Sequence, residues 1–147
     1  MNTQVVMAEQ DEELRIYAAR QIQMENGTEV CISRQTEQKL SGMLLRLGIP
    51  AHVNGYRFLQ DAVLTVMVEP EAIKHMMHDL YPRIASKNHT TAGRVERSIR
   101  SAIMLGWQRC RPEECSRILG RSVIADYEKP TSGELIALVA ERMRLYL

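Results

Sequence analysis

Aromatic side chains are scarce in this sequence, with one Trp, one Phe and five Tyr among 147 residues. A core must therefore come from aliphatic residues and nine Met, a mixture suited to packed helices. Cysteine is equally sparse. Cys31, Cys110 and Cys115 cannot all pair within the chain, and neither a CxxC nor a His-x-x-x-His group is present. That argues against a disulfide scaffold and a zinc module and for a reducing compartment. No apolar run approaches the roughly 20 residues needed to span a bilayer. The opening MNTQVVMAEQDEEL has neither a basic stretch nor an apolar one after it, so a cytoplasmic location away from membrane is expected.

Chemistry-bearing motifs are also missing. There is no Ser-His-Asp or Cys-His order, no glycine-rich phosphate loop and no prominent carboxylate pair, so neither an enzyme nor a cofactor is expected. His75-Met76-Met77-His78 places two histidines about one turn apart beside soft thioethers. Without a third ligand this reads as surface or packing residues, and no metal site is assigned.

What is present is an apolar content of 45%, enough to bury the core of one domain with at most a short appendage. The net charge of +1 conceals a strong asymmetry. Residues 1–30 carry six acids and two Arg, whereas residues 83–121 carry nine Lys or Arg against three acids. A basic block in an otherwise balanced chain is either a solvated face or a surface that displaces counterions from nucleic-acid phosphates.

Helical signals recur throughout, and period-2 patterns are weak, so the expected fold is all-α. It is a single helical domain of about six helices containing a helix-turn-helix, plus an N-terminal helix over residues 9–24. A helix capped by Ser33 runs to Leu47 and exits at Gly48; an amphipathic one covers Tyr56 to Val68. Pro70 is expected to open a helix toward Asp79, and Pro82 a short one ending near Lys87. After the polar break Asn88 to Thr91 comes the longest helix, from Thr91 to Arg109. Pro112 begins about two turns that Gly120 stops, Val123-Ile124 reads as a short extended piece, and Thr131 to Glu134 matches a capping box before a terminal helix.

On a helical wheel of the longest helix, Val95, Ile99, Ala102, Ile103 and Gly106 share one face, with Trp107 at its edge. Thr90, Arg94, Arg97, Ser101 and Met104 lie opposite, flanked by Gly93 and Arg100. A short helix, a polar break and a longer helix with arginines near its start form the outline of a helix-turn-helix. Arginine's planar fork can bond guanine O6 and N7 together, and Glu96 can accept from a cytosine amino group, each contact contributing about 1–3 kcal/mol of discrimination. Lys87, Asn88, Thr90 and Thr91 stand where a helix start holds phosphates, with His89, Arg100 and Ser101 as further flanking contacts. The competing reading is a surface helix whose arginines pair with acids, Glu96 and Arg100 being four residues apart.

The stretch Thr90 to Ile103, TTAGRVERSIRSAI, resembles the C-terminal effector domain of the stage zero sporulation protein A family of response regulators. The likeness extends to Leu47 to Tyr56, LGIPAHVNGY, to Leu80 to Ala85, LYPRIA, and to Lys129 to Glu134, KPTSGE. It covers about three quarters of the chain, from near Thr36 onward. The resemblance implies a sequence-specific transcription regulator of the bacterial cytoplasm and nucleoid, with double-stranded DNA as its partner and a homodimer on DNA as one arrangement. It places the family's base-reading residues on Arg94, Glu96 and Arg97, and the surface engaging the RNA polymerase sigma subunit near Cys115 to Val123.

Departures are informative. Gly93 and Ser101 stand where the family usually has Ser and His, which predicts an altered contact or site preference. Family members carry a phosphorylatable receiver, and the roughly 35 residues before the domain are too few to form one. The expected organisation is an acidic helical appendage over residues 1–35 and the effector domain over residues 36–147. The appendage can pack on the domain, mediate dimerisation or mimic a partner. The rival function is a protein-interaction module that antagonises a full-length relative.

Overall fold

The computed structural model describes residues 34–119 and 129–145. Their α-helices are α1 (Arg34–Arg46), α2 (Asn54–Val68), α3 (Tyr81–Lys87), α4 (Ala92–Arg109), α5 (Pro112–Leu119) and α6 (Ser132–Arg144). There is no strand among the described residues, and the all-α expectation holds. The N-terminal helix expected over residues 9–24, the Ser33 cap, the stop at Gly120 and the extended piece at Val123-Ile124 lie outside the described residues. So does nearly all of the appendage expected over residues 1–35.

The central element is α2, which packs most extensively on α4 and α6. Its Leu59, Ala62, Val63, Leu64 and Val66 are buried against Val95, Ile99, Ala102 and Ile103 of α4 and Ile136, Val139, Ala140 and Met143 of α6. Each large aliphatic side chain removed from water in this way contributes roughly 1.5–3 kcal/mol. The buried face of α4 is the one that the helical wheel selects, Gly106 included, and Trp107 is partly buried beside it.

Two close backbone approaches fix where α4 sits. A Cβ on Gly55 would lie 2.2 Å from the Ser98 carbonyl oxygen and 2.6 Å from the Ala102 Cβ, so α2 and α4 cross in near contact. Farther along, a Cβ on Gly106 would meet Ile49 Cγ1 at 2.7 Å. The N-terminal end of α2 and the loop before it are thereby pressed along one side of α4.

One element departs from expectation. Pro70 opens a 3-10 helix, Pro70–His75, followed by a π-helical turn, Met76–Leu80, that runs directly into α3. The tight winding of the first and the wide winding of the second replace the continuous α-helix expected toward Asp79. A tertiary tie accounts for the difference. Arg83 of α3 donates to both carboxylate oxygens of Glu69, at 3.0 and 3.2 Å, drawing the start of the segment to its end. Ala72 and Leu80 are buried by the resulting path.

The terminal helix follows its sequence signal closely. Thr131 Oγ1 accepts from the Glu134 amide at 3.1 Å, while Glu134 Oε1 accepts from the Thr131 amide at 2.9 Å. This reciprocal box satisfies two amides that the helix start would otherwise leave without partners.

Candidate nucleic-acid interface

The junction of α3 and α4 is built from backbone chemistry first. The Thr90 amide donates to the Ala85 carbonyl at 2.9 Å and the His89 amide to the Ser86 carbonyl at 3.4 Å. This is a Schellman-type helix end, and its left-handed position is occupied by His89 at φ 56°. Thr91 then starts α4, its hydroxyl accepting from the Arg94 amide at 3.2 Å. The turn uses His89 for its backbone conformation and Thr91 for a cap, and both residues, expected as DNA-flanking contacts, are exposed.

Behind the turn lies an acid that sequence reasoning missed. Asp61 of α2 is buried at 7% exposure, and its two oxygens accept from Lys87 Nζ at 2.8 Å and Asn88 Nδ2 at 3.0 Å. Asn88 Nδ2 also donates to the Ile84 carbonyl at 2.8 Å. Both amide protons of Asn88 are thus committed inward, and only its side-chain oxygen is left for other partners. Lys87 and Asn88, expected at phosphates, brace the turn onto α2. A carboxylate three residues after Phe58, on an otherwise apolar face, was the available sign of this role.

The basic block resolves into paired and unpaired members. Arg83 bridges Glu69 and Asp79, Lys87 meets Asp61, Arg100 pairs with Glu96, and Arg117 pairs with Glu114. Its bonds to Glu69 hold the Arg83 guanidinium protonated above its ordinary range. Arg94 and Arg97, by contrast, are exposed and have no acidic partner among the described residues. Glu96 and Arg100 thus realise the i,i+4 pair that the surface-helix reading foresees, while Arg94 and Arg97 do not follow it.

Arg94 and Arg97 face an open cleft of about 270 Å³. From α4 it is lined by Arg94, Arg97 and Ser98, and from the turn by Asn88 and Thr90. Asn54, Arg57 and Phe58 of α2 complete it. Arg57, which sequence analysis passed over, is likewise exposed and without an acidic partner among the described residues. Three guanidinium groups around one cleft repel each other and constitute a site for an anion. A Cβ on Gly93 would stand 3.5 Å from an Arg97 terminal nitrogen, an ordinary contact, so the small residue leaves this arginine room without being required.

The remaining expected positions scatter. Ser101 is exposed on the same side of α4, one turn beyond Arg97, as is Met104. The sigma-facing region expected at Cys115 to Val123 is described only as far as Leu119, and within it Cys115, Ile118 and Leu119 are buried while Arg117 is exposed. Cys110 and Cys115 face each other with their Cα atoms 6.3 Å apart, within the span of a disulfide. His75 and His78 are both exposed, and no group of three or more metal-ligating side chains occurs among the described residues. No described helix is long and apolar enough to cross a membrane.

The model of the family described as Sporulation initiation factor Spo0A C terminal matches residues 40–143. The chain belongs to this family. The match includes every helix from α2 to α5, most of α1, and α6 to within one residue of its end. It confirms the resemblance seen in the four sequence segments. The family is one of DNA-binding effector domains of the sporulation type, not a family of enzymes. The turn joins α3 to α4, and the cleft lies between that junction and the start of α2.

Proposed function

We infer that this protein is a sequence-specific DNA-binding transcription regulator of the bacterial cytoplasm and nucleoid, whose α4 enters the major groove. The observation that carries the reading is Arg94 and Arg97, without an acidic partner among the described residues, on the solvent face of a helix whose opposite face is buried on α2. Burial of Val95, Ile99 and Ala102 fixes the rotation of α4, so both arginines start from its solvent face. Arg94 and Arg97 read guanine edges. Glu96 is aligned by Arg100 and accepts from a cytosine amino group.

Thr90, Ser101 and Arg100 flank the readers and meet the strand backbone, with Thr91, His89, Asn88 and Lys87 keeping the turn in place beneath them. The effector domain spans residues 36–147, with residues 1–35 as an appendage to it. Transcriptional output runs through the polymerase sigma subunit at the Cys115 to Val123 surface, and two copies can occupy one DNA site.

Fluorescence-anisotropy titration of a duplex carrying the family's recognition box, beside a scrambled duplex, tests the reading. Wild type should prefer the box, and Arg97→Ala should weaken box binding by roughly 5- to 150-fold, the equivalent of about 1–3 kcal/mol, while changing scrambled binding much less. Equal, weak binding to both duplexes, untouched by Arg97→Ala, would count against it and favour a module that antagonises a relative by protein contact.

A further inference from the structure

Arg57 does not belong to the helix-turn-helix, yet it faces the same cleft as the two arginines of α4. It stands in the first turn of α2, where there is no acidic residue and no side-chain cap on the helix start to offset its charge. Near contact between Gly55 and the Ser98 carbonyl locks this turn against α4, so Arg57 cannot drift from the recognition helix without moving α2 itself.

The cleft's other polar groups narrow what it can take. Asn88 has both amide protons committed to Asp61 and the Ile84 carbonyl, so it cannot donate to an anion there. Asn54 is exposed and Thr90 half-exposed, and both line the cleft. Donors from Arg57, Asn54 and Thr90 can therefore surround an oxyanion beside the readers. Arginine's planar fork suits a phosphate, which it can bond through two parallel N–H groups.

We propose that Arg57, with Asn54 and Thr90, binds a backbone phosphodiester of the strand that borders the groove entered by α4, making α2 a second DNA-contacting element. This rests on α4 being the groove-entering helix. It assigns Arg57 to affinity and register and leaves base choice to Arg94 and Arg97, since phosphate contacts position a protein without carrying sequence information.

The test is the salt dependence of duplex binding by the full chain, measured by anisotropy for wild type, Arg57→Ala and Arg57→Lys on box and scrambled duplexes. Losing one phosphate contact should lower the slope of log K against log salt by about 0.9. Arg57→Ala should also weaken both duplexes by the same factor, roughly tenfold or more, leaving their ratio intact, and Arg57→Lys should restore the slope. An unchanged slope, or a changed box-to-scrambled ratio, overturns the assignment.

If wild type binds duplexes without preference, the regulator reading fails while the slope change on scrambled DNA still upholds the phosphate contact. If no duplex binds at any salt, both fail. Inorganic phosphate supplies a separate arm. NMR shifts at the Arg57 side chain and Thr90 amide that phosphate induces, and that a saturating duplex abolishes, support the proposal. Shifts that persist unaltered under the duplex would make the cleft a free-anion site and overturn it.

Discussion

Two helices of this protein end in the same backbone motif with different residues at its left-handed position. At the end of α1, the Gly48 amide donates to the Leu45 carbonyl at 2.9 Å and the Ile49 amide to the Leu44 carbonyl at 3.1 Å, with Gly48 at φ 88°. At the end of α3, the corresponding position is His89 at φ 56°. Gly48 is enclosed, since a Cβ there would lie 2.7 Å from the Gly106 carbonyl oxygen. His89 is exposed. The first turn is a packing joint against α4 that requires glycine twice, for conformation and for space. The second tolerates a side chain in a conformation that costs a non-glycine residue about 1–2 kcal/mol, and is braced from behind by Asp61.

Substitutions can break or sharpen this contrast. The largest effect is expected for Gly48→Ala, which combines the left-handed backbone cost with a collision against backbone that cannot swing away. It should destabilise the fold by roughly 3 kcal/mol in urea denaturation. A loss below about 1 kcal/mol would mean the joint yields more easily than the Gly48–Gly106 approach implies.

Next comes Asp61→Ala, which deprives Lys87 and Asn88 of their partner in a partly buried setting. A loss of about 2 kcal/mol is expected, below the full effect of breaking a buried pair because Lys87 reaches solvent. Box binding should weaken as the turn loosens, with Arg94 and Arg97 untouched. Unchanged stability would show that the second turn holds itself without the brace.

Smallest is His89→Gly, which makes the two turns alike. It should stabilise the protein by roughly 0.5–1 kcal/mol, the left-handed cost being relieved and part of the gain returned as backbone entropy in the unfolded chain. Its effect on duplex binding sharpens the comparison further. Unchanged affinity assigns His89 to the turn alone, whereas weaker binding at higher stability would show that the imidazole meets DNA and that the backbone cost is tolerated for that contact.

Much of this architecture is legible in the sequence. The start of α4 at a capping Thr91, its buried stripe and the Thr131–Glu134 box follow from residues within one or two turns of each other. Arg94 and Arg97 emerge on the solvent side for the same reason, because a helix with one apolar face has only one way to turn. The segment from Pro70 to Leu80 was not legible, since Arg83 reaches back 14 residues to Glu69 and reshapes the winding between them. Asp61 and Arg57 were not legible either, being ordinary members of an amphipathic helix until α4 is laid beside them.

The sequence by itself determined where most helices start and stop, which face of α4 is buried, and the family to which the chain belongs. Periodicity, capping and the motif at Thr90 to Ile103 are local, and short-range side-chain chemistry enforces them. Only the tertiary structure decided which cations remain available. Lys87 is claimed by an aspartate 26 residues away, while Arg57, Arg94 and Arg97 are brought to one cleft with no acidic partner among the described residues. Charge pairing across such separations depends on how α2 and α4 pack, which Gly55 permits at their crossing while Gly106 admits the loop before α2.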